Sequence, residues 1–591
     1  MLTSQPDLVY ALGMARRGGA VHVVTTRRRY RGRLYQTHLL RRSYREAGRV
    51  KNETVGNLSH LPDAVIDLIR RALRGEQLLP VEEQLTIVRS AHHGHVQAVL
   101  TALRRLGFAR LLAARPSRER ELVVALVVAR ILWPGSKLAT HRWWHVTTLP
   151  ECLDIADATE DDLYAAMDWL LERQGAIEKK LVARHLQEGG FALCDLTSSY
   201  FEGTHCPLAA RGHNRDGKRD KLQVNYGLLA DRVGRPVAVS VFAGNTGDPK
   251  TLLPQVDQLR ERFGVQRVAV VGDRGMISQK QIDALRQRPG MDWITALRSD
   301  AIRALVEAGQ LQLGLFDERN LFELRHPKYP DERLVACRNP ELAKLRAHKR
   351  LALLDATTRE LDTVRGMIAR KRLHGAGAIG VRVGKVLNKY KVGKHFHLEI
   401  RDDGFDYHLR HEKIEAEAAL DGVYVIRTSL PAQRLDAGDV VRTYKSLSGV
   451  ERAFRCLKTL DLKVRPIYHW TEPRVRAHIF LCMLAYYVEW LMIEAWRPLL
   501  FADEDQQAKT RRDPVAPAQR SEAALHKVHE KHQEDGTPVH SFQTLLEGLA
   551  GIVRNVCRVP GADEAAPTFA LETQQTPEQQ RAYALLETIT V

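Results

Sequence analysis

Arg267-Val268-Ala269-Val270-Val271-Gly272-Asp273 is a short apolar run that stops at an acid. Valines without a polar alternation read as a strand buried on both faces. Upstream, Phe191-Ala192-Leu193-Cys194-Asp195 has the same form, apolar residues and then an aspartate. Between the two lie Leu222 to Leu229 and Val237 to Phe242, which read as further strands. The turn Asp231-Arg-Val-Gly234-Arg-Pro236 separates them, and Thr251 to Phe263 reads as an amphipathic helix. The order is therefore strand, strand, strand, helix, strand, with acids ending the first and last strands. This is an α/β pattern.

Outward from this unit the chain changes character several times. Residues 299–430 interrupt it with a charged helical stretch, Leu342 to Arg372, and a polar–apolar alternation around Phe396 to Ile400. Asp421 to Thr428 returns to strand character, followed by a helix from Ser448 to Leu460 and an apolar helix from Arg474 to Trp496. On the other side, residues 81–190 read as helical, with apolar residues at three and four in Val96 to Leu103 and again in Asp161 to Leu171, and a more uniformly apolar helix in Leu122 to Leu132. His92, His93 and His95 lack a partner in ligand spacing and read as helix-start or surface residues. Residues 1–80 hold the densest arginine cluster: Arg27, Arg28, Arg29, Arg31 and Arg33, then Arg41, Arg42 and Arg45, interleaved with Tyr30, Tyr35 and Tyr44. Guanidinium groups neutralise phosphates and aromatic rings stack on bases, so this segment is expected to contact DNA. Residues 503–540 read as a flexible linker, and 541–591 as a tail without a legible role.

Composition narrows the class of function. In 591 residues, 44% hydrophobic and 27% charged residues describe a globular chain too long for one core. Lys and Arg number 89 against 71 Asp and Glu, a surplus of +18 that suits an acidic polymer as partner. The seven cysteines are scattered without a CxxC pair, which argues against a zinc or disulfide framework and fits a reducing cytosol. The longest apolar run, Ile479 to Val488, is cut off by Glu489 and reads as a buried helix rather than a membrane span.

Three acids stand out by position: Asp195, Asp273 and Glu451. Carboxylates from two strand ends and a facing helix repel one another unless cations lie between them. Hard oxygen ligands suit Mg²⁺ or Mn²⁺, and two such ions about 3.5–4 Å apart activate an attacking oxygen and stabilise a leaving one in phosphoryl transfer. Each acid alone has a plainer reading, as a turn or cap residue or as a surface charge.

The flanking motifs raise them above it. Asp195-Leu-Thr-Ser-Ser-Tyr-Phe-Glu-Gly203 resembles the first-aspartate motif of bacterial insertion-sequence DDE transposases of the group named after insertion sequence four. Gly212 to Asp216, Gln223 to Leu228 and Gly244 to Asp248 resemble that group too, and Val271 to Ser278 its second-aspartate motif. Tyr444, Glu451 and Lys458 match its Tyr–Arg–Glu–Lys signature at spacings of seven (451 − 444 and 458 − 451), whereas the arginine position holds Leu447. The resemblance implies a ribonuclease H-like core that binds two Mg²⁺ or Mn²⁺ ions through Asp195, Asp273 and Glu451, with Tyr444 and Lys458 on the DNA backbone. Two regular helical turns would set Lys458 on the face of Glu451. Arg442, Lys445 and Arg452 are candidates for the missing arginine.

The domains are then a basic DNA-contacting segment over 1–80, including Arg27, Arg28 and Arg29, and a helical DNA-end-binding region over 81–190. The catalytic core follows in two parts, 191–298 and 431–500, around an insertion over 299–430, with a linker and tail over 501–591. The resemblance implies an insertion largely of strands that supports cleavage through a DNA hairpin with a flipped base; Trp293 reads as a buried strand residue rather than as the ring beneath that base. It also implies cleavage and strand transfer at terminal inverted repeats, target DNA as second substrate, a homo-oligomer on paired ends, no membrane, and a bacterial cytoplasmic, nucleoid-bound location. A ribonuclease H-like nuclease without strand transfer and a non-catalytic DNA-binding derivative are the alternatives.

Overall fold

The computed structural model describes residues 19–590, apart from 31, 32, 77–84, 204, 219, 318 and 560–562; Arg31 thus lies outside the described residues. The chain forms two units, Met1–Arg89 with Val556–Leu571, and Ser90–Asn555 with Glu572–Val591.

In the first unit β1 (Ala20–Tyr30), β2 (Arg33–Glu46) and β3 (Arg49–Asn57) make an antiparallel meander. The helix Asp63–Leu73 buries Ile66, packs on β1, and sets Arg70 Nη2 against Thr25 Oγ1. Arg27, Arg28 and Arg29 are all exposed, but a strand alternates its side chains. Arg27 and Arg29 therefore share the face of Thr25, and Arg28 points to the other face, directly across from Tyr35.

The stretch from 81 is not helical throughout: β4 (Thr86–His92) precedes the first helix, Gly94–Arg105. His93 caps that helix from a buried position, with Nδ1 2.7 Å from Thr148 Oγ1, and His95 is buried as well. The helices Arg118–Leu132, Glu160–Glu172 and Gln174–His185 complete the layer.

The second unit is built on one eight-stranded sheet. Its strands are β5 (Gly190–Phe201), β6 (Leu222–Ala230), β7 (Pro236–Ala243), β8 (Val268–Val271), β9 (Met291–Ala296), β10 (Leu321–Leu324), β11 (Arg333–Arg338) and, after the separate hairpin β12 (Phe396–Ile400) and β13 (Phe405–Leu409), β14 (Val423–Thr428). The spatial order is β10-β11-β14-β9-β8-β5-β6-β7. β5, β6 and β7 pair antiparallel, while β5, β8 and β9 run parallel, with β8 buried at every residue. The remaining three strands extend the edge of β9 in antiparallel pairing. Trp293 is buried on β9.

Residues 299–430 are therefore not largely strands. Three of their strands join the main sheet, and the rest forms a helical lobe on the 30-residue helix Pro340–Ala369 and the helix Ala376–Tyr390. Asn339 starts the long helix, its Oδ1 accepting the Leu342 N–H at 3.0 Å, with Pro340 at the first position. The lobe has its own core, including Leu361, Val364, Ile379, Val383 and Phe396.

Through the centre runs the helix Glu472–Ala495, apolar on all sides. It is long and apolar enough to cross a membrane, but 83% of its apolar window is buried within this fold, so it serves as a core helix. Trp496, just beyond it, donates its Nε1–H to Ala582 O at 2.9 Å. The stretch read as linker and tail contains the helices Glu522–Glu530, Phe542–Ala550 and Pro577–Glu587, and buries Val515, Leu545, Leu549 and Leu586. It is part of the core rather than an appendage.

Candidate active site

β5 and β8 set two acids side by side. Their parallel register pairs Leu193 with Val271. Asp195 and Asp273 each lie two residues further on, the step that returns a side chain to the same face. Asp195 does not end its strand, however; β5 continues to Phe201, because beyond residue 193 it still has β6 to pair with. Asp273 does leave the sheet. Its Oδ1 accepts the N–H groups of Gly275 at 3.0 Å and Met276 at 2.7 Å, which fixes the turn, and the residue is exposed.

Glu451 comes from the helix Leu447–Arg455, which packs on β5 through its apolar face. Phe454 of that helix meets the ring of Tyr226 edge-on at 5.9 Å. Glu451 itself is exposed. Asp195 senses the other two acids: burial pushes its carboxyl up to about 7, with Asp273 and Glu451 adding to the shift. The Leu196 N–H, 2.8 Å from Asp195 Oδ1, and Arg215 oppose it without cancelling it. The three are nonetheless spread. Among the described residues they do not form a group whose ligand atoms all lie within 4.8 Å.

The residues near the acids divide into those the motifs name and those they miss. Tyr444, on the helix Ala437–Lys445, faces the site: burial and then the charge of Asp273, with smaller parts from Glu451 and Asp195, push its hydroxyl up to about 12. Lys458 does not continue a regular helix from Glu451, since the chain widens into a π turn over Cys456–Leu460. Its Nζ lies 2.5 Å from Asp216 Oδ1 and 3.1 Å from Thr197 Oγ1. Burial lowers its pKa despite that partner. Asp216 is the residue the spacing argument missed: its side chain is 1% exposed, is also paired with Arg465, and accepts the Tyr200 N–H at 3.0 Å. Beside it, Arg215 acts on Asp195 while its Nη2 donates to Asp248 Oδ2 at 2.5 Å. Leu447 is buried, so no phosphate contact arises there. Of the candidates to replace the signature arginine, Arg442 pairs with Asp439 at 3.0 Å and Lys445 donates to Val515 O at 3.2 Å, which leaves the exposed Arg452. Arg27, Arg28 and Arg29 belong to the other unit.

Residues 195–488 match the transposase DDE domain, a span that begins on Asp195 and takes in Asp273, Tyr444, Glu451 and Lys458. Residues 23–80 match the N-terminal domain of IS1634 family transposases, a span that covers most of the arginine-rich meander and its helix. The chain belongs to the insertion-sequence DDE transposases. No curated protein matches it. In this transposase the DDE match runs uninterrupted through the helical lobe and ends inside the core helix, at Val488.

Proposed function

We propose that Asp195, Asp273 and Glu451 are the metal-binding catalytic triad of a transposase that cuts DNA at terminal inverted repeats and joins the freed 3′ hydroxyls to target DNA. The observation that carries this reading is the shared register of Asp195 and Asp273 beside a helix-borne Glu451. The order β7-β6-β5-β8-β9, antiparallel then parallel, supports a ribonuclease H-like core in two parts, with the lobe inserted between them.

The residues fit divalent ions. A carboxyl pushed up to about 7 by burial and two neighbouring acids is a group short of positive charge, and all the donors are hard oxygens. Two Mg²⁺ or Mn²⁺ ions, when bound, supply charge to activate one oxygen and stabilise another. The chain's own residues do the rest. Asp273 is held rigid by its turn, Glu451 closes the site from the helix, and Tyr444 stands ready to donate a hydrogen bond to a phosphate oxygen. Lys458, paired to Asp216, acts on the strand only by exchanging that partner for a phosphate or by holding β5 in place through Thr197 Oγ1.

The wider reading follows from the charge of the chain. Arg28 and its neighbours contact DNA from the first unit, the region 81–190 recognises the transposon end, and copies of the chain assemble on paired ends in the bacterial cytoplasm at the nucleoid. The test is a strand-transfer assay on cognate ends with Mg²⁺. Asp195→Asn, Asp273→Asn and Glu451→Gln should each abolish joining while leaving end binding intact. Full joining by any of the three would sink the assignment, and cleavage without joining on every end sequence would make the protein a nuclease instead.

A further inference from the structure

A pocket of about 280 Å³ opens between the loop before the helix Lys137–Trp144 and the segment that follows the π turn. None of the described residues that line it is an acid, yet it holds Arg130, Lys137, Lys463 and Arg465. Two of these cations are deep. Lys137 is 2% exposed and, among the described residues, has no hydrogen-bond or ion-pair partner; Arg130 is 5% exposed. Arg130 spends its two terminal nitrogens on backbone carbonyls, Gly135 O at 3.1 Å and Leu462 O at 3.4 Å, and its Nε has no partner.

Buried cations without counter-charge are costly, and the cost is relieved when Lys137 gives up its proton or when an anion enters the pocket that it shares with Arg130. The surrounding titratable groups agree. Burial first, then the nearby cations, lowers the pKa of Lys137 to about 7 and of His469 to about 3, and holds His478 neutral. The acids in the neighbourhood are already engaged, Asp168 with Arg474 at 2.7 Å and Asp216 with Lys458 and the pocket's own Arg465, and neither is paired with Arg130 or Lys137. Gly135, Ser136 and Lys137 line the pocket at the start of an eight-residue helix. Ser136 Oγ takes the Ala139 N–H at 3.1 Å, so the first amides of the turn are left for an outside acceptor. At the rim Tyr468 is 63% exposed, a ring free to carry a base.

We propose that this pocket is a phosphate site outside the triad, which seats one phosphodiester of a DNA strand at the helix start between Arg130 and Lys137, with the adjoining base on Tyr468. Arg465 lines the pocket and also pairs with Asp216, the partner of Lys458, so the site adjoins the cluster beneath the acids. The inference rests on DNA being the substrate and adds to that reading a place where a strand is gripped without metal.

The experiment uses the full chain in chelator, so that no cleavage occurs and the triad plays no part. Binding of a fluorescent single-stranded oligonucleotide is titrated against salt, and melting is followed with the oligonucleotide or with inorganic phosphate. Lys137→Met should bind about five- to tenfold more weakly and lower the salt slope by about 0.7, the value for one phosphate of a single strand. It should melt no lower than wild type without ligand, because an unpaired buried charge is replaced by an apolar chain of similar shape. Tyr468→Ala, on the surface, should weaken the oligonucleotide about fivefold and leave the phosphate effect unchanged. If phosphate alone raises the melting temperature of wild type but not of Lys137→Met, while Tyr468→Ala binds the oligonucleotide normally, the anion site stands and its occupant is a free phosphate. If both variants bind the oligonucleotide like wild type and neither ligand shifts melting, the proposal is overturned. A Lys137-dependent grip in a protein that joins no ends would instead retain the pocket and refute the transposition chemistry.

Discussion

Gly234 and Gly449 meet backbone to backbone. A Cβ on Gly234 would stand 3.1 Å from Gly449 Cα, and one on Gly449 would stand 3.3 Å from Gly234 Cα. Gly234 has φ +88° in the turn between β6 and β7, where Asp231 accepts the N–H groups of Val233 at 3.1 Å and Arg235 at 2.9 Å. Gly449 lies two residues before Glu451 on its helix. The turn thus sets how closely the third acid approaches the sheet.

Gly449→Ala separates position from stability. A methyl group there pushes the helix off the turn by a few tenths of an ångström, while the gain in helix propensity offsets the crowding by about 0.5–1 kcal/mol. The melting temperature should stay near wild type, and the joining rate should fall on the order of tenfold or more because the acid is displaced. Equal rates would show that the helix has slack at this point. Gly234→Ala, which also forces an alanine into the left-handed region, should cost about 1–3 kcal/mol in addition.

Asp216 is the anion on which Lys458 and Arg465 converge, with 1%, 10% and 19% of the respective side chains exposed. Asp216→Asn leaves both cations without a counter-charge and should destabilise the protein by about 3 kcal/mol. Lys458→Met alone should cost less. Together the two changes should cost less than their sum in urea denaturation, since the pair is removed as a unit. Strict additivity would mean that Lys458 is occupied with something other than Asp216.

On the arginine-rich meander the two faces should differ. The helix Asp63–Leu73 reaches the Thr25 face through Arg70, and Arg27 and Arg29 share that face. Arg28 and Tyr35 stand across from each other on the open one. Arg28→Ala should therefore reduce the salt slope of duplex binding by about 0.9, while Arg27→Ala and Arg29→Ala change it less. Salt-dependent binding isotherms decide it, and the reverse ranking would place DNA against the helix-covered face.

Glu178 gives a pH dependence unconnected with metal. Its side chain is fully buried, and burial pushes its carboxyl up to about 7, more than the hydrogen bonds from Gln174 at 2.8 Å and the Val239 N–H at 3.0 Å can offset. The folded protein holds a proton that the unfolded chain, titrating near its ordinary 4.5, has released. Stability should accordingly fall as pH rises from about 4.5 to 7. Glu178→Gln should flatten that window and, at pH 8, melt above wild type. An unchanged slope in the variant would place the titration elsewhere.

What could be read from the residues alone follows the range of the interactions. The strands at Phe191 and Arg267 and the helices around Val96, Leu122 and Thr251 carry local apolar patterns, and each forms, although the first strand runs past Asp195 to Phe201. The pairing of Leu193 with Val271 is not local, and two like apolar runs, each leading to an acid, point only to adjoining strands and not to their register. Lys458 and Asp216 give no such sign, because neither residue's neighbours mention the other. The π turn at Cys456 is likewise silent, and it alters the helical arithmetic on which a shared face for Glu451 and Lys458 depends. The polar composition of 503–540 hides the few buried anchors, Val515 among them, that tie it down.

Those anchors bear on how the protein is made. The helix Pro577–Glu587 covers Trp496 and sends Tyr583 Oη to Gly94 O at 2.7 Å, at the start of the first core helix. The catalytic unit is closed by residues that leave the ribosome some five hundred positions after the ones they clasp (583 − 94 = 489). A nascent chain holds all three acids long before it holds a finished core. A nascent chain that has not yet reached Pro577 should expose Trp496 and be open to proteolysis, so synthesis itself delays the enzyme until that helix has been made.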